Sequence, residues 1–118
     1  MKVVEKNAGT KIDYDLKAKK LSFADGELTI NLERYQSDEE VTRDIMVDSE
    51  GYLIMGQGRY YVAQVEIPAR EYEETVETVT EEVDGEEVQR KVTNRTPLPL
   101  DTNKVTLYLF SIDGIIIR

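Results

Sequence analysis

The sequence predicts a mainly β fold, a single antiparallel sandwich or small barrel from which an acidic hairpin protrudes. Two observations support this. Short runs of alternating apolar and polar residues recur along the chain, and a period of two is typical of strands with one buried face. Turn signals rich in glycine and aspartate separate the runs. The length of 118 residues suits one domain over residues 1–118.

The first predicted strands lie near the N-terminal end, where residues 11–16 alternate and residues 19–33 form a clear hairpin signal. An Asp-Gly pair at 25–26 favours a type I′ turn. Centring the turn there places four apolar side chains on one face, in two cross-strand pairs: Phe23 with Leu28, and Leu21 with Ile30. A shift of one residue would expose all four, so the alternation determines the register.

The segment that follows allows two interpretations. Ser37 and Glu40 have the spacing of a capping box, which favours a short helix near residues 38–43. Against this, the next apolar run leads directly into an Asp-Ser-Glu-Gly turn signal at 48–51, which favours a second hairpin. We expect a strand from about residue 43, and one helical turn before it remains an alternative.

Two later segments, 59–67 and 105–110, are apolar on both faces, which is typical of interior strands. After the second, an Asp-Gly turn at 113–114 would fold back a strand of three isoleucines: Ile115, Ile116 and Ile117. Because apolar edges are seldom left uncovered, this strand should pair within the domain or contact a sheet edge of another subunit. The predicted core residues are Tyr14, Leu21, Phe23, Leu28, Ile30, Leu53, Val62, Val65, Ile67, Leu107 and Leu109.

The net charge of −9 arises from one segment. Residues 71–89 contain nine of the 24 acidic residues and no basic residue, so the other 15 acids balance the 15 bases. The same segment is rich in β-branched residues, and a turn at 84–85 pairs its halves into an amphipathic ribbon. The sequence therefore predicts an acidic hairpin arm over 71–95, mobile in the free protein because an isolated two-stranded ribbon is marginally stable.

One face of this arm carries four valines among carboxylates. The predicted partner-binding residues are Val79, Val83, Val88, Val92, Glu81 and Glu82. A solvated hairpin without a partner is the alternative interpretation, since charged runs are usually solvated faces.

The composition excludes several chemistries. The chain has no histidine and no cysteine, which rules out imidazole bases, thiolate nucleophiles and disulfides. Asp13 and Asp15 could hold a divalent cation, but strand alternation explains their spacing better. We predict no catalytic, metal or cofactor-binding residues, and a non-enzymatic structural or protein-interaction module. The alternative is a small hydrolase that depends on carboxylates or a divalent metal.

Charge and hydropathy also limit the partners. The acidic excess opposes binding to nucleic acid, and no stretch is long and apolar enough to span a membrane. The first ten residues lack the apolar core of a signal peptide, so we expect a soluble, cytoplasmic or virion-associated protein. A protein partner or self-association is predicted, without a small-molecule ligand.

Two motifs in the C-terminal half carry a resemblance. A strand over 61–67 ends in Ile-Pro-Ala-Arg at 67–70, and Pro-Leu-Asp at 99–101 follows the acidic insert and leads into an apolar strand. This arrangement resembles small uncharacterised proteins encoded in bacteriophage and prophage structural gene clusters. The resemblance implies a virion or assembly component, with no catalytic residues to transfer.

Overall fold

A computed structural model describes residues 1–118 and contains three β-sheets. The strands are β1 (Lys2–Glu5), β2 (Tyr14–Lys17), β3 (Lys20–Phe23), β4 (Leu28–Asn31), β5 (Val41–Val47), β6 (Leu53–Met55), β7 (Tyr60–Ile67), β8 (Tyr72–Val83), β9 (Glu86–Pro97) and β10 (Thr106–Leu109). The helical parts are one α-helical turn, α1 (Leu32–Tyr35), and a 3-10 turn over Thr102–Lys104. Neither has the length and apolar character needed to cross a membrane. The prediction of a mainly β fold with antiparallel sheets is confirmed.

The largest sheet has five strands in the order β1-β10-β7-β5-β6. Only β1 and β10 are parallel, and every other neighbouring pair is antiparallel. The sheet is open, with β1 and β6 at its edges. Both β7 and β10 are interior strands, as their apolar residues on both faces predict.

The second sheet is the meander β2-β3-β4. Its hairpin has the predicted register, with Leu21 opposite Ile30 and Phe23 opposite Leu28. Ala24, Asp25 and Gly26 have φ values of +50°, +54° and +90°, so the left-handed backbone that a type I′ turn requires at Asp25 and Gly26 already begins at Ala24. The Asp-Gly pair therefore determines this hairpin locally.

The meander and the five-stranded sheet share one hydrophobic core. Leu21, Phe23 and Ile30 of the meander belong to the same buried cluster as Val65 and Leu107 of the larger sheet. The predicted core is largely confirmed. Its exceptions are the half-buried Leu28 and Leu53, which pack against the cluster, and the exposed Tyr14.

A β-bulge interrupts the alternation of β7. Ile45 pairs with Ala63 whereas Met46 pairs with Tyr61, so Val62 is the extra residue. Val62 and Ala63 are both fully buried, and Tyr61 is 47% exposed. Strict alternation would have placed Tyr61 on the face of Ala63, but a bulge re-aims the side chains beyond it.

The alternative of a short helix near residues 38–43 is wrong. The helical turn α1 lies earlier in the chain, and β5 begins at Val41. The Ser37 hydroxyl accepts a hydrogen bond from the Glu39 amide at 3.2 Å, which forms a two-residue turn instead of a helix cap. The Arg70 amide donates to the Ser37 carbonyl at 2.8 Å, and this long-range bond helps to hold the segment against the loop after β7.

The predicted pairing of Ile115, Ile116 and Ile117 as a strand within the domain is also wrong, because no strand follows β10. Contact of this tail with another subunit stays a prediction. Both edges of β10 are occupied, by β1 and β7, so a returning strand has no free ladder beside it. The tail instead crosses two loops, where the Ile112 amide bonds to the Thr10 carbonyl and the Arg118 amide bonds to the Gly51 carbonyl. Ile115 and Ile117 are half-buried against the core.

Candidate functional site

The third sheet is a separate two-stranded hairpin of β8 and β9, which we call the acidic ribbon (residues 72–97). Its predicted register is confirmed, with Val83 opposite Glu86 and Val79 opposite Arg90. The turn residues Asp84 and Gly85 have φ values of +53° and +79°. The ladder extends to Pro97, two residues beyond the predicted arm.

The acidic ribbon projects from the rest of the molecule. The protein measures 77 × 24 × 20 Å, with a radius of gyration of 21.5 Å, whereas a compact domain of this length has a radius of gyration of about 13 Å. Strands of 12 residues are about 40 Å long. None of the 18 buried residues belongs to the ribbon, so both of its faces are open to solvent.

One face of the acidic ribbon combines valines with charges in a checkerboard. Each of the four cross-strand pairs of this face nearest the turn joins one valine to one charged residue: Glu77 with Val92, Val79 with Arg90, Glu81 with Val88, and Val83 with Glu86. We call these eight residues the valine face. Val83 and Val88 are 50% and 46% exposed, and Val79 and Val92 are half-buried. The valines therefore form a diagonal apolar stripe that no other part of the protein covers.

The charges of the valine face do not balance. Its one basic residue, Arg90, forms an ion pair with Glu81 in which Nη2 and Oε1 are 2.7 Å apart. Glu77 and Glu86 have no ion-pair partner in the structure. Two uncompensated carboxylates thus lie beside the valine stripe.

The structure brings together five of the six predicted partner-binding residues. The exception is Glu82, which lies on the opposite face of the ribbon and pairs with Glu87, because neighbouring residues of a strand point to opposite faces. Glu82 therefore does not belong to the valine face. Its pairing with Glu87 also places like charges directly opposite each other, which weakens the ladder.

A polar cluster at the base of the ribbon joins it to the segments before β5 and after β7. Arg70 Nη1 and the Tyr72 hydroxyl both donate to Oδ1 of Asp38. The Arg95 guanidinium lies over the Tyr72 ring, 4.2 Å from its centroid. The hydrogen bond from Tyr72, together with the positive charge of Arg70, lowers the pKa of Asp38. This cluster holds the two strands of the ribbon at the point where they leave the domain.

No sequence pattern predicts this cluster, because Asp38 and Tyr72 are far apart in the chain. The sequence contains one indication of this cluster, because Tyr72 is the only aromatic residue of the ribbon. It is the first residue of the ribbon, where an aromatic side chain can anchor the ribbon to the domain. A second link lies close by, where Lys104 Nζ is 2.7 Å from Glu71 Oε1. The Leu98 amide donates to the Glu71 carbonyl at 2.8 Å, so the two ends of the ribbon are adjacent.

The other candidate residues, Asp13 and Asp15, do not form a metal site in the structure. Asp13 and Asp15 belong to no group of three or more acidic side chains that could hold a metal ion. Comparison of the chain with family models, curated proteins and solved structures finds no match. The chemistry of its own residues is therefore what points to a function.

Proposed function

We propose that this protein is a non-enzymatic structural or interaction module, a two-sheet β sandwich that carries the acidic ribbon as its partner-binding arm. The observation that supports the proposal is the exposure of the ribbon, which contributes none of the buried residues of the fold. A two-stranded ribbon that stands alone is marginally stable. Docking on a partner would bury the apolar side chains of the ribbon, which the domain leaves exposed. We also propose that the arm is mobile in the free protein.

The pKa shifts of the carboxyl groups favour this function over the hydrolase. Acid catalysis by a carboxyl group near neutral pH needs a raised pKa, which burial produces. The three carboxyl groups with shifted pKa values, Glu33, Asp38 and Asp113, all have lowered values because each accepts hydrogen bonds. None of the three is therefore raised toward the neutral range that acid catalysis needs.

We also propose that the protein is a virion or assembly component of a bacteriophage or prophage. The support is the resemblance carried by residues 61–70 and 97–101, together with the arm itself. A segment that orders on binding contributes to an assembly only once its neighbour is present, which suits stepwise construction of a particle. Its partner would then be a protein of the same particle, in the cytoplasm or in the virion.

Chemical crosslinking tests the arm. Lys91 is the only lysine of the acidic ribbon and pairs with Thr78 on the face opposite the valine face, so an amine-reactive crosslinker long enough to reach around the ribbon captures a partner on either face. The full-length protein, expressed with its neighbouring genes, should yield a partner peptide linked to Lys91. A variant with residues 72–97 replaced by two glycines should fail to retain that partner on an affinity column. Equal retention by both forms would refute the arm as the binding element.

A further inference from the structure

Building on the proposed function, we propose that the valine face binds a protein surface on which apolar side chains alternate with lysine or arginine. The partner's apolar side chains would cover the valine stripe, and its basic side chains would pair with Glu77 and Glu86. The opposite face of the ribbon would remain in water.

The spacing of the valine face supports an extended partner. On β8 the face reads Glu77, Val79, Glu81 and Val83, and the facing part of β9 also alternates charge and valine. Residues two apart in a strand are about 6.6 Å apart on the same face. A partner strand laid over the ribbon would match this spacing if apolar and basic residues occupied alternate positions of one of its faces.

The charge of the ribbon selects a basic partner. The ribbon carries eight carboxylates and three basic residues, and Arg90 is already paired with Glu81 on the valine face. A second copy of the ribbon would bring further carboxylates against Glu77 and Glu86, and desolvating like charges opposes association. Nucleic acid would be repelled for the same reason. The domain itself leaves the valine face uncovered.

The size of the face indicates how strong the contact can be. The valine face spans seven residues of each strand, so it is about 23 Å long and about 10 Å wide and offers about 230 Å² on each partner. The total of about 460 Å² is well below the range of stable complexes and corresponds to a transient one. Because its charges are exposed, the contact should weaken as the salt concentration rises.

A designed peptide tests the inference on the full-length protein. The probe is Lys-Thr-Val-Thr-Lys-Thr-Val-Thr-Lys, which in extended form presents lysine and valine alternately on one face. In an NMR titration it should shift amide signals of β8 and β9, and binding should weaken severalfold between 50 and 200 mM salt, roughly as expected for exposed ion pairs. A peptide with glutamate in place of lysine should not bind. Equal binding of both peptides, or no binding of the lysine peptide at millimolar concentration, would overturn the inference.

Matched variants identify the face. Val79→Thr combined with Val88→Thr removes apolar groups from the valine face and keeps residues that favour strands. Val76→Thr makes the same change on the opposite face, where Val76 is 63% exposed. The double variant should bind the peptide about tenfold more weakly, from the loss of two buried methyl groups. The control variant Val76→Thr should bind the peptide with an affinity within about twofold of that of the wild type.

Several results would separate this inference from the proposed function. If Val76→Thr weakened binding as much as the double variant, the valine face would not be the binding surface. If the arm deletion lost the crosslinked partner but the double variant retained it, the interaction arm would stand and this inference would fail. A wild-type dimer in sedimentation that the double variant converts to a monomer would overturn it in favour of self-association.

Discussion

Replacing residues 72–97 with two glycines should leave the rest of the protein folded. The Leu98 amide already donates to the Glu71 carbonyl at 2.8 Å, so the chain ends produced by the deletion are adjacent. A two-residue connection can join antiparallel segments at this distance, and glycine adopts the left-handed backbone that such turns need. The deletion therefore requires no rearrangement of β7 or β10.

The expected change in stability is small because the ribbon contributes nothing to the core. All 18 buried residues remain after the deletion. What disappears is the Tyr72 contact with Asp38 and the stacking of Arg95, both at the surface. The free energy of unfolding should change by less than about 1 kcal/mol, the scale of surface changes that touch no core residue. Removing one buried leucine side chain costs about 2–5 kcal/mol.

Urea denaturation followed by circular dichroism measures this change. The deletion variant should unfold in one cooperative transition, with a midpoint close to that of the wild type. A change of less than about 1 kcal/mol in the free energy of unfolding corresponds to a fall in Tm of less than about 8 °C. Loss of cooperative unfolding, or a loss of about 3 kcal/mol or more in the free energy of unfolding, would show that the valine face packs on the domain. Either result would refute the reasoning.

Three further predictions concern the domain and its base. Leu107→Ala should cost about 2–5 kcal/mol in the same urea experiment, because Leu107 is fully buried on an interior strand; a cost below about 1 kcal/mol would contradict the described core. The Tyr72 hydrogen bond and the Arg70 charge lower the pKa of Asp38 below its ordinary 3.8. The Asp38 carboxylate therefore stabilises the base of the ribbon above pH 3.8. This stabilisation is lost as the pH falls through the lowered pKa. The Tyr72 ring signals in NMR should follow this acid transition, and Asp38→Asn should abolish it. Ile116→Lys should change stability by at most about 0.5 kcal/mol, since Ile116 is 80% exposed; a wild-type oligomer that this variant converts to a folded monomer in sedimentation would establish the isoleucine tail as a subunit contact.

Local sequence determined the two Asp-Gly hairpins of this protein. At 25–26 and at 84–85 the turn residues favour a left-handed backbone, and alternation then sets which residues face each other. Both registers follow from residues within one hairpin, so no distant part of the chain had to be known. The same holds for the separation of the valines from Glu82, which is a consequence of strand geometry alone.

Tertiary structure decided the features that depend on distant partners. The bulge that exposes Tyr61 arises where β7 pairs with β5, and the isoleucine tail stays out of the sheet because β1 and β7 already occupy both edges of β10. The anchoring of Tyr72 on Asp38 likewise joins residues that only the fold brings together. Turn chemistry and alternation act between neighbours in the chain, whereas the free edge of a strand or the acceptor of a side chain depends on which segments pack beside it. No pattern within a single segment contains that information.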